Sequence, residues 1–141
     1  MPKTVLIVNG DADTREILRV LLRHHGYVTR EALAVEDAIA LAASDPPALI
    51  TGEMWVPAAS GYCCLPERIR AEIQLSASKV LVLTADAFDG VHQRARAAGA
   101  DALLTKPFEL PVLVREVRSL IGPAYPTPTG SPAREQNEIE V

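Results

Sequence analysis

Short apolar runs alternate five times with longer segments of helical period along the first 121 residues, and this alternation restricts the possible folds more than any other feature. It is the pattern expected when parallel β-strands are joined by helical crossovers. Continuous runs such as VLIV indicate strands that are covered on both faces. We therefore predict an α/β chain of five βα units. The predicted strands are residues 5–8, 27–31, 48–52, 80–83 and 102–105, the second of them near an edge of the sheet.

The predicted helices follow the strands and have recognisable ends. The first helix begins with a capping box formed by Asp13 and Glu16, and it stops before Gly26. Prolines at 46 and 47 prevent the second helix from continuing. The second, fourth and fifth helices are predicted at residues 36–44, 89–98 and 109–121.

The segment between the third and fourth strands is less regular than the rest. A loop containing Trp55, Pro57 and Gly61 is predicted to lead into the third helix. Pro66 falls inside the helical pattern of that segment, and Ile69 lies one place later than the pattern requires. We interpret this as either a one-residue insertion or a helix that starts late, at Pro66, since proline is tolerated in the first turn.

Length and composition indicate one domain followed by a tail. The chain has 141 residues, which is enough for one ordinary core but too few for two. Four of its prolines fall within residues 123–132, and the last nine residues are mostly polar or acidic. We therefore expect a domain at residues 1–121 and, at residues 122–141, a Pro-rich tail or linker without packed structure.

Charge and cysteine content exclude several classes of function. The formal net charge is −4, so no overall positive field would draw the chain to nucleic acid or to anionic lipid. No apolar run approaches the roughly 20 residues needed to cross a bilayer. Cys63 and Cys64 are adjacent, a spacing that suits neither a disulfide framework nor a zinc site. We expect a cytoplasmic protein that binds no membrane and no nucleic acid directly.

Polar side chains come directly after the predicted strands. In an open parallel sheet, ligands bind outside the carboxyl ends of the strands, so these residues should converge at one edge. Carboxylate, hydroxyl and ammonium groups brought together there can form an anion or metal pocket, although such polar caps are also ordinary structural features. The residues concerned are Asn9, Gly10, Asp11, Glu53, Thr84 and Lys106.

Taken with these residues, five short motifs make the chain resemble a receiver domain of the two-component response-regulator family. They stand in receiver order and spacing from about residue 5 to residue 121. The motifs are DTREIL at 13–18, Pro57 with Gly61 after the third strand, VLTA at 82–85, AGAD at 98–101 and TKPF at 105–108.

The resemblance implies a specific fold and a specific chemistry. The fold is a single doubly wound, five-stranded parallel sheet of flavodoxin-like topology, with a cis peptide bond between Lys106 and Pro107. Similar domains take a phosphoryl group from a histidine kinase onto an aspartate at the end of the third strand. In them, Mg²⁺ is held by that aspartate and by an acidic pair after the first strand.

This sequence departs from the family at the residues that carry the chemistry. Glu53 occupies the phosphoacceptor position, and Asn9 and Gly10 occupy the positions of the acidic pair, which leaves Asp11 as the nearest carboxylate. We expect no bound Mg²⁺, or at most a weak site made by Asp11 and Glu53, because two carboxylate ligands are missing. We also expect no efficient phosphorylation of Glu53, because its carboxylate lies one methylene further out than that of an aspartate.

The hydroxyl and lysine positions of the family are retained as Thr84 and Lys106, which leaves three uses for Glu53. It can form a structural salt bridge with Lys106, it can act as a partial mimic of a phosphoryl group, or the pocket can serve another purpose. Trp55 stands where a side chain flanks the mouth of the pocket in this family. Its ring can obstruct a phosphohistidine, anchor a partner or lie partly buried in the loop. Leu103 stands where many receivers have an aromatic switch residue, so that coupling has no counterpart here.

These observations support one main hypothesis about function and two competing ones. The main one is a pseudo-receiver, a non-enzymatic signalling module that contacts a histidine kinase or an effector domain without phosphoryl transfer. Leu110 and Val112 add apolar surface to the face of helix four, strand five and helix five, where such a partner or a second copy could dock. The competing hypotheses are a phosphorylatable receiver that uses Asp11 as acceptor, and a flavodoxin-like cofactor binder, for which the Gly-rich phosphate loop is missing.

Overall fold

The computed structural model describes residues 2–86 and 88–125, so most of the expected tail (122–141) lies outside the described residues. Thirteen elements of secondary structure follow one another along the chain. In order they are β1 (Thr4–Val8), α1 (Ala12–His24), β2 (Val28–Ala32), α2 (Val35–Ser44), β3 (Leu49–Gly52), β4 (Trp55–Ala58), β5 (Gly61–Cys64), α3 (Leu65–Arg70), a 3₁₀ helix (Ile73–Leu75), β6 (Lys79–Thr84), α4 (Asp89–Ala97), β7 (Ala102–Thr105) and α5 (Leu110–Ile121).

Five of the strands form one parallel sheet in the order β2-β1-β3-β6-β7. This confirms the predicted α/β fold with a doubly wound, five-stranded parallel sheet, and it confirms that β2 lies at an edge. The order reverses direction between β1 and β3, which places the crossover connections on both faces of the sheet. All five strands therefore end at the same edge.

Each face of the sheet is covered by its own group of helices. Alternate residues of β1 point to opposite faces, so Leu6 and Val8 pack with α2, α3 and α4, whereas Val5 and Ile7 pack with α1 and α5. All four side chains are essentially inaccessible to solvent. The continuous apolar run of β1 therefore reflects burial on both faces of the sheet, as predicted.

The segment after β3 is a β-hairpin, so the prediction of a loop there was wrong. Strands β4 and β5 pair antiparallel with each other and not with the main sheet, with Trp55 opposite Cys64 and Pro57 opposite Tyr62. Gly61 follows the turn with φ of +115°, a conformation that favours glycine. Proline within a short segment argues against a strand in the interior of a sheet. Both strands of this two-stranded hairpin lie at an edge, where proline is tolerated.

One helix start differs from the sequence pattern, and another agrees with it. Asp11, not Asp13, is the N-cap of α1, and its side chain accepts a hydrogen bond from the backbone N–H of Thr14. Helix α3 has only six residues and begins at Leu65, with Pro66 in its first turn, which agrees with the predicted late start. The 3₁₀ helix then completes the connection to β6.

Residues beyond the last helix still contact the core. The side chain of Ala124 is only 4% exposed, and the backbone N–H of Lys3 donates to the Ala124 carbonyl oxygen at 2.9 Å. The Tyr27 hydroxyl donates to the Gly122 carbonyl oxygen at 2.6 Å. The sequence placed the end of the domain at residue 121, whereas packing against the core continues to Ala124. Within the described part of the chain, no helix has the length and apolar character needed to cross a membrane.

A close approach between β1 and β3 generates the first prediction. A Cβ atom added to Gly52 would lie 2.2 Å from the Val8 carbonyl oxygen, which is backbone and cannot move aside. We expect Gly52→Ala to lower the free energy of unfolding by about 3 kcal/mol, measured by urea denaturation with far-UV circular dichroism.

Gly90 in α4 is the matched control, because a Cβ added there meets no heavy atom within 4 Å. Gly90→Ala should change the free energy of unfolding by less than about 1 kcal/mol, and in the stabilising direction. Equal losses in the two variants would contradict the steric explanation.

Candidate functional site

The six polar residues picked out at strand ends lie at one edge of the sheet. Asn9, Gly10 and Asp11 follow β1, Glu53 follows β3 by one residue, Thr84 ends β6 and Lys106 follows β7. Because β1, β3, β6 and β7 are consecutive neighbours in the sheet, the residues occupy one continuous rim. This is the edge where ligands bind in open α/β sheets.

Glu53 and Lys106 form an ion pair across this rim. The Lys106 ammonium donates a hydrogen bond to Glu53 Oε1, and both side chains are about one-third exposed. The Lys106 backbone N–H donates to the Thr84 carbonyl oxygen at 2.7 Å, and the peptide bond between Lys106 and Pro107 is cis. The carboxylate at the end of β3 therefore meets the only lysine of the rim.

Thr84 is buried and its hydroxyl takes part in the turn that follows β6. Thr84 Oγ1 accepts a hydrogen bond from the backbone N–H of Asp86 at 3.1 Å. The Asp86 carboxylate in turn accepts from the backbone N–H of Phe88 at 3.0 Å. Among the hydrogen bonds of the described residues, none joins Thr84 to Glu53 or Lys106 through side chains. The hydroxyl thus serves the loop rather than the ion pair.

Asn9 is nearly completely buried, with only one end of its amide satisfied. Its Oδ1 atom accepts from the backbone N–H of Asp11 at 2.8 Å, and its backbone carbonyl accepts from Arg15 Nη1 at 2.6 Å. Its Nδ2 group, by contrast, is buried and has no hydrogen-bond partner among the described residues. A donor therefore stands where the family resemblance implies an acidic ligand.

Asp11 is committed to the start of α1. Its Oδ2 atom accepts from the Thr14 hydroxyl at 2.6 Å and from the Thr14 backbone N–H at 3.2 Å. These hydrogen bonds, the hydroxyl one above all, hold the pKa of the Asp11 carboxyl below its ordinary value. The negative charge also lies at a helix N-terminus, where it is favourable.

Gly10 leaves no room for a larger side chain without adjustment. A Cβ atom added to Gly10 would lie 3.1 Å from Cγ of Pro57 in the hairpin. Pro57 therefore fills part of the space beside the second position of the missing acidic pair. Within residues 2–86 and 88–125, no three His, Cys, Asp or Glu side chains are grouped closely enough to hold a metal ion.

Trp55 is the first residue of β4, two residues after Glu53, and does not lie in a loop. Its side chain is 47% exposed, and the Arg94 guanidinium carbon lies 5.0 Å from its ring centroid. This is the geometry of a cation–π contact. The contact joins the hairpin to α4. Sequence reasoning missed Arg94 in this role, because no motif relates positions 55 and 94.

The remaining candidates have structural surroundings. Cys64 is buried and Cys63 is half-buried, where burial, reinforced by the nearby Glu36 carboxylate, raises the pKa of the Cys63 thiol. A raised pKa keeps the thiol protonated and unreactive at neutral pH. Leu103 is half-buried in β7, and Thr105 Oγ1 lies 3.3 Å from Nε2 of His92 in α4.

Comparisons with known proteins agree on one family. The family model of the response regulator receiver domain matches residues 5–118. The polar-differentiation response regulator DivK of Brucella anthropi is 29% identical over 124 residues, which make up 88% of this chain and 100% of that protein.

Two solved structures resemble the chain along most of its length. A protein assigned as a response regulator in Chloroflexus aurantiacus has a TM-score of 0.77 at 29% identity, covering 86% of this chain and 98% of its own. The receiver domain of the sensor histidine kinase PA1611 from Pseudomonas aeruginosa, solved with a magnesium ion coordinated in its active-site cleft, has a TM-score of 0.74 at 22% identity. That match covers 86% of this chain and 99% of the other, and at this identity it shows likeness of fold alone.

The cap at Asp11 predicts a pH dependence of stability. Because the folded-state pKa of Asp11 is lowered, its ionised form favours folding, and this contribution is fully present above its ordinary pKa of 3.8. It is lost as the pH falls through the lower, folded-state pKa. We expect Asp11→Ala to be less stable than the parent chain at pH 7, with the difference shrinking below about pH 4.

Asp11→Asn separates the charge from the cap, because asparagine also caps helices. This variant should keep most of the stability at pH 7 and should lose the acid dependence. Urea midpoints of the three proteins between pH 7 and pH 3 provide the test, and a parent–alanine difference that does not change with pH would contradict the assignment.

Proposed function

Because the chain belongs to the response regulator receiver domain family, we propose that it is a receiver that acts through protein–protein contact without aspartyl phosphorylation. The observation that carries the proposal is the ion pair between Glu53 and Lys106. In phosphorylated members of the family, as the resemblance implies, the equivalent lysine faces the phosphoryl group on an aspartate. Here the lysine already has a carboxylate partner from the acceptor position itself.

The residues of the rim do not fit Mg²⁺. This ion requires near-octahedral oxygen ligands and gives up its water reluctantly. Asn9 Oδ1 is engaged by the Asp11 N–H, Asn9 Nδ2 carries hydrogens instead of a free lone pair, and Gly10 has no side chain. The Asp11 carboxylate is held by Thr14, and Glu53 is held by Lys106. No step of the proposed function therefore passes through a metal ion.

The length of Glu53 also opposes phosphoryl transfer. Transfer needs an in-line approach to phosphorus, with cations neutralising the phosphoryl oxygens. A misplacement of about 1 Å can cost roughly 100-fold in rate. Glu53 has one methylene more than an aspartate, and its charge is neutralised by the only ammonium group of the rim. The extra methylene and the neutralised charge both oppose the attack of Glu53 on phosphorus.

Among the uses of Glu53 left open by the sequence, the structure favours the salt bridge. A phosphoryl mimic should engage both the hydroxyl and the lysine, but among the described residues Glu53 is hydrogen-bonded to Lys106 and not to Thr84, whose hydroxyl oxygen accepts from the Asp86 backbone N–H. Glu53 also supplies one charge, whereas a phosphoryl group carries nearly two. We therefore propose a pocket held in one state by an internal ion pair.

Asp11 as an alternative acceptor has less support. Its carboxylate is tied to Thr14 by two hydrogen bonds, and removing it from that arrangement would uncap α1. An acceptor needs a nearby cation as the phosphoryl group arrives. Among the described residues no ion pair joins Asp11 to Lys106, and Arg15, the cation whose charge acts on Asp11, donates to the Asn9 carbonyl oxygen and pairs with Glu31.

We place the contact with a signalling partner, a histidine kinase or an effector domain, on the face formed by α4, β7 and α5. Arg94 and Arg96 are exposed on α4 and Val112 is half-buried near the start of α5, whereas Leu110, 44% exposed, lines an open groove with Ile17, Val20 and Leu21 of α1. Arginine is one of the residue types enriched in protein–protein interfaces. A second copy of the chain docking on the same face is the alternative occupant.

Intact mass measurement tests the absence of phosphoryl chemistry. We expect no gain of about 80 Da, the mass of one phosphoryl group, after the chain is incubated with acetyl phosphate and Mg²⁺. Glu53→Asp alone should also show no gain, because the acidic pair is still missing. The triple variant Asn9→Asp/Gly10→Asp/Glu53→Asp should gain the mass, provided that circular dichroism shows it folded.

A Mg²⁺-dependent, stoichiometric gain in the parent chain would overturn the proposal. Loss of that gain in Asp11→Asn would then identify Asp11 as the acceptor. A folded triple variant that gains no mass would show that the missing carboxylates are not the cause.

A further inference from the structure

One face of the hairpin presents two exposed aromatic rings. Residues opposite each other in an antiparallel pair point to the same side, so Trp55, Pro57 and Tyr62 share a face of β4 and β5, which we call the aromatic face. Trp55 is 47% exposed and Tyr62 is 70% exposed. Exposed tryptophan and tyrosine are the residue types that most often dominate binding energy. This face plays no part in the ion pair of Glu53 and Lys106.

The rings stand on an ordered support. Arg94 lies over one side of the Trp55 ring and fixes its orientation. The Leu65 backbone N–H donates to the Met54 carbonyl oxygen at 2.9 Å at the base of the hairpin. At its tip, the Ala59 backbone N–H donates to the Glu36 carboxylate at 3.1 Å. A surface that is held in place before binding loses less entropy when a partner arrives.

The polar atoms of the aromatic face indicate what kind of partner fits. No hydrogen bond within the described residues involves the indole N–H of Trp55 or the hydroxyl of Tyr62, and neither is a buried atom without a partner, so both can donate to a binding partner. A polyproline II segment has no internal hydrogen bonds and presents solvated carbonyl acceptors next to flat proline rings. Such segments dock on aromatic-lined surfaces. Pro57 has no N–H, which leaves the edge of β4 poorly suited to adding a strand.

We propose that the aromatic face binds the proline-rich segment at residues 126–132 of a second copy of this chain. That segment reads PTPTGSP and contains three prolines. Two copies that exchange these segments form a closed pair. Each pair then has two equivalent contacts, which reinforce each other through effective concentration.

The position where the described chain ends favours a second copy over the chain's own segment. Tyr125 lies next to Gly26, which precedes β2, whereas the hairpin follows the carboxyl end of β3. Ala124 packs on the face of the sheet covered by α1 and α5, whereas Val56 of the hairpin packs on the opposite face. Seven residues reach at most about 25 Å. A path along a five-residue strand alone uses about 17 Å of that length. The remainder is too short for the segment to pass around the sheet and also lie flat on the hairpin.

A peptide titration tests the binding chemistry. The probe is a synthetic peptide of residues 125–134, and Trp55, the only tryptophan, reports binding by its fluorescence in dilute full-length chain. We expect a saturable change in emission that is absent when the three prolines of the peptide are replaced by alanine. Tyr62→Ala should weaken binding at least about tenfold. Phe88→Ala removes an exposed aromatic residue outside the hairpin and should leave binding unchanged.

Sedimentation equilibrium tests the source of the segment. We expect the mass of the full chain to rise with concentration from 15.2 kDa towards about twice that value. Both Tyr62→Ala and the full-length variant Pro126→Ala/Pro128→Ala/Pro132→Ala should remain monomeric, whereas Leu110→Ala should still associate.

Three results would overturn the inference. One is the absence of any Trp55 response to the peptide. The second is a monomeric full chain at all concentrations, which would rule out a second copy as the source. The third is association that Leu110→Ala abolishes and Tyr62→Ala does not, which would place the contact at the groove between Leu110 and α1. None of these depends on whether the chain accepts a phosphoryl group.

Discussion

The architecture depends on burying the central strands of a parallel sheet on both faces. Strands β1, β3 and β6 lie in the interior of the sheet, and their apolar side chains are nearly all inaccessible to solvent. Parallel strands cannot be joined by tight turns, so each connection must return over a face as a helix. The same requirement brings every strand end to one edge. The rim with Glu53 and Lys106 is therefore a direct consequence of the topology, and the side chains placed there decide what the rim can do.

The sequence predicts those parts of the structure that depend on periodicity, and it fails where a single contact decides. The apolar runs that predicted β1, β3 and β6 became interior strands of the sheet, because burial on both faces demands continuous apolar sequence. The hairpin was missed because Pro57 and a run of small residues argue against strands. The capping-box pattern predicted a helix start at Asp13, whereas the Asp11 side chain caps α1 by accepting from the Thr14 backbone N–H.

In the candidate site, too, the topology determines which residues come together, and individual contacts determine what each side chain does. That six polar residues share one edge follows from parallel strands joined by helical crossovers, which the alternation of the sequence predicts, while the strand order itself was implied by the family resemblance. Their hydrogen bonds do not follow from it, since the Asp11 carboxylate bonds to Thr14 and the Thr84 hydroxyl bonds to Asp86. The stacking of Arg94 on Trp55 joins positions 39 residues apart, and no local signal marks it. Family motifs locate a site, whereas the partners of each side chain determine its chemistry.

On the proposed function, the ion pair of Glu53 and Lys106 leaves the rim without a covalent event that could change its conformation. A ligand shifts a conformational equilibrium only by the difference in its affinity for the two states. Lys106 is paired with Glu53, and Leu103 stands where many members of the family have an aromatic switch residue, so the proposal leaves a phosphoryl group no cation and no coupled side chain through which to act. Helix α4 is instead held by the buried Ala95, by the contact of His92 with Thr105 and by the stacking of Arg94 on Trp55. On the proposed function, binding surfaces supported by these contacts need no modification to form, so the occupancy of a partner follows from the concentrations of the two proteins.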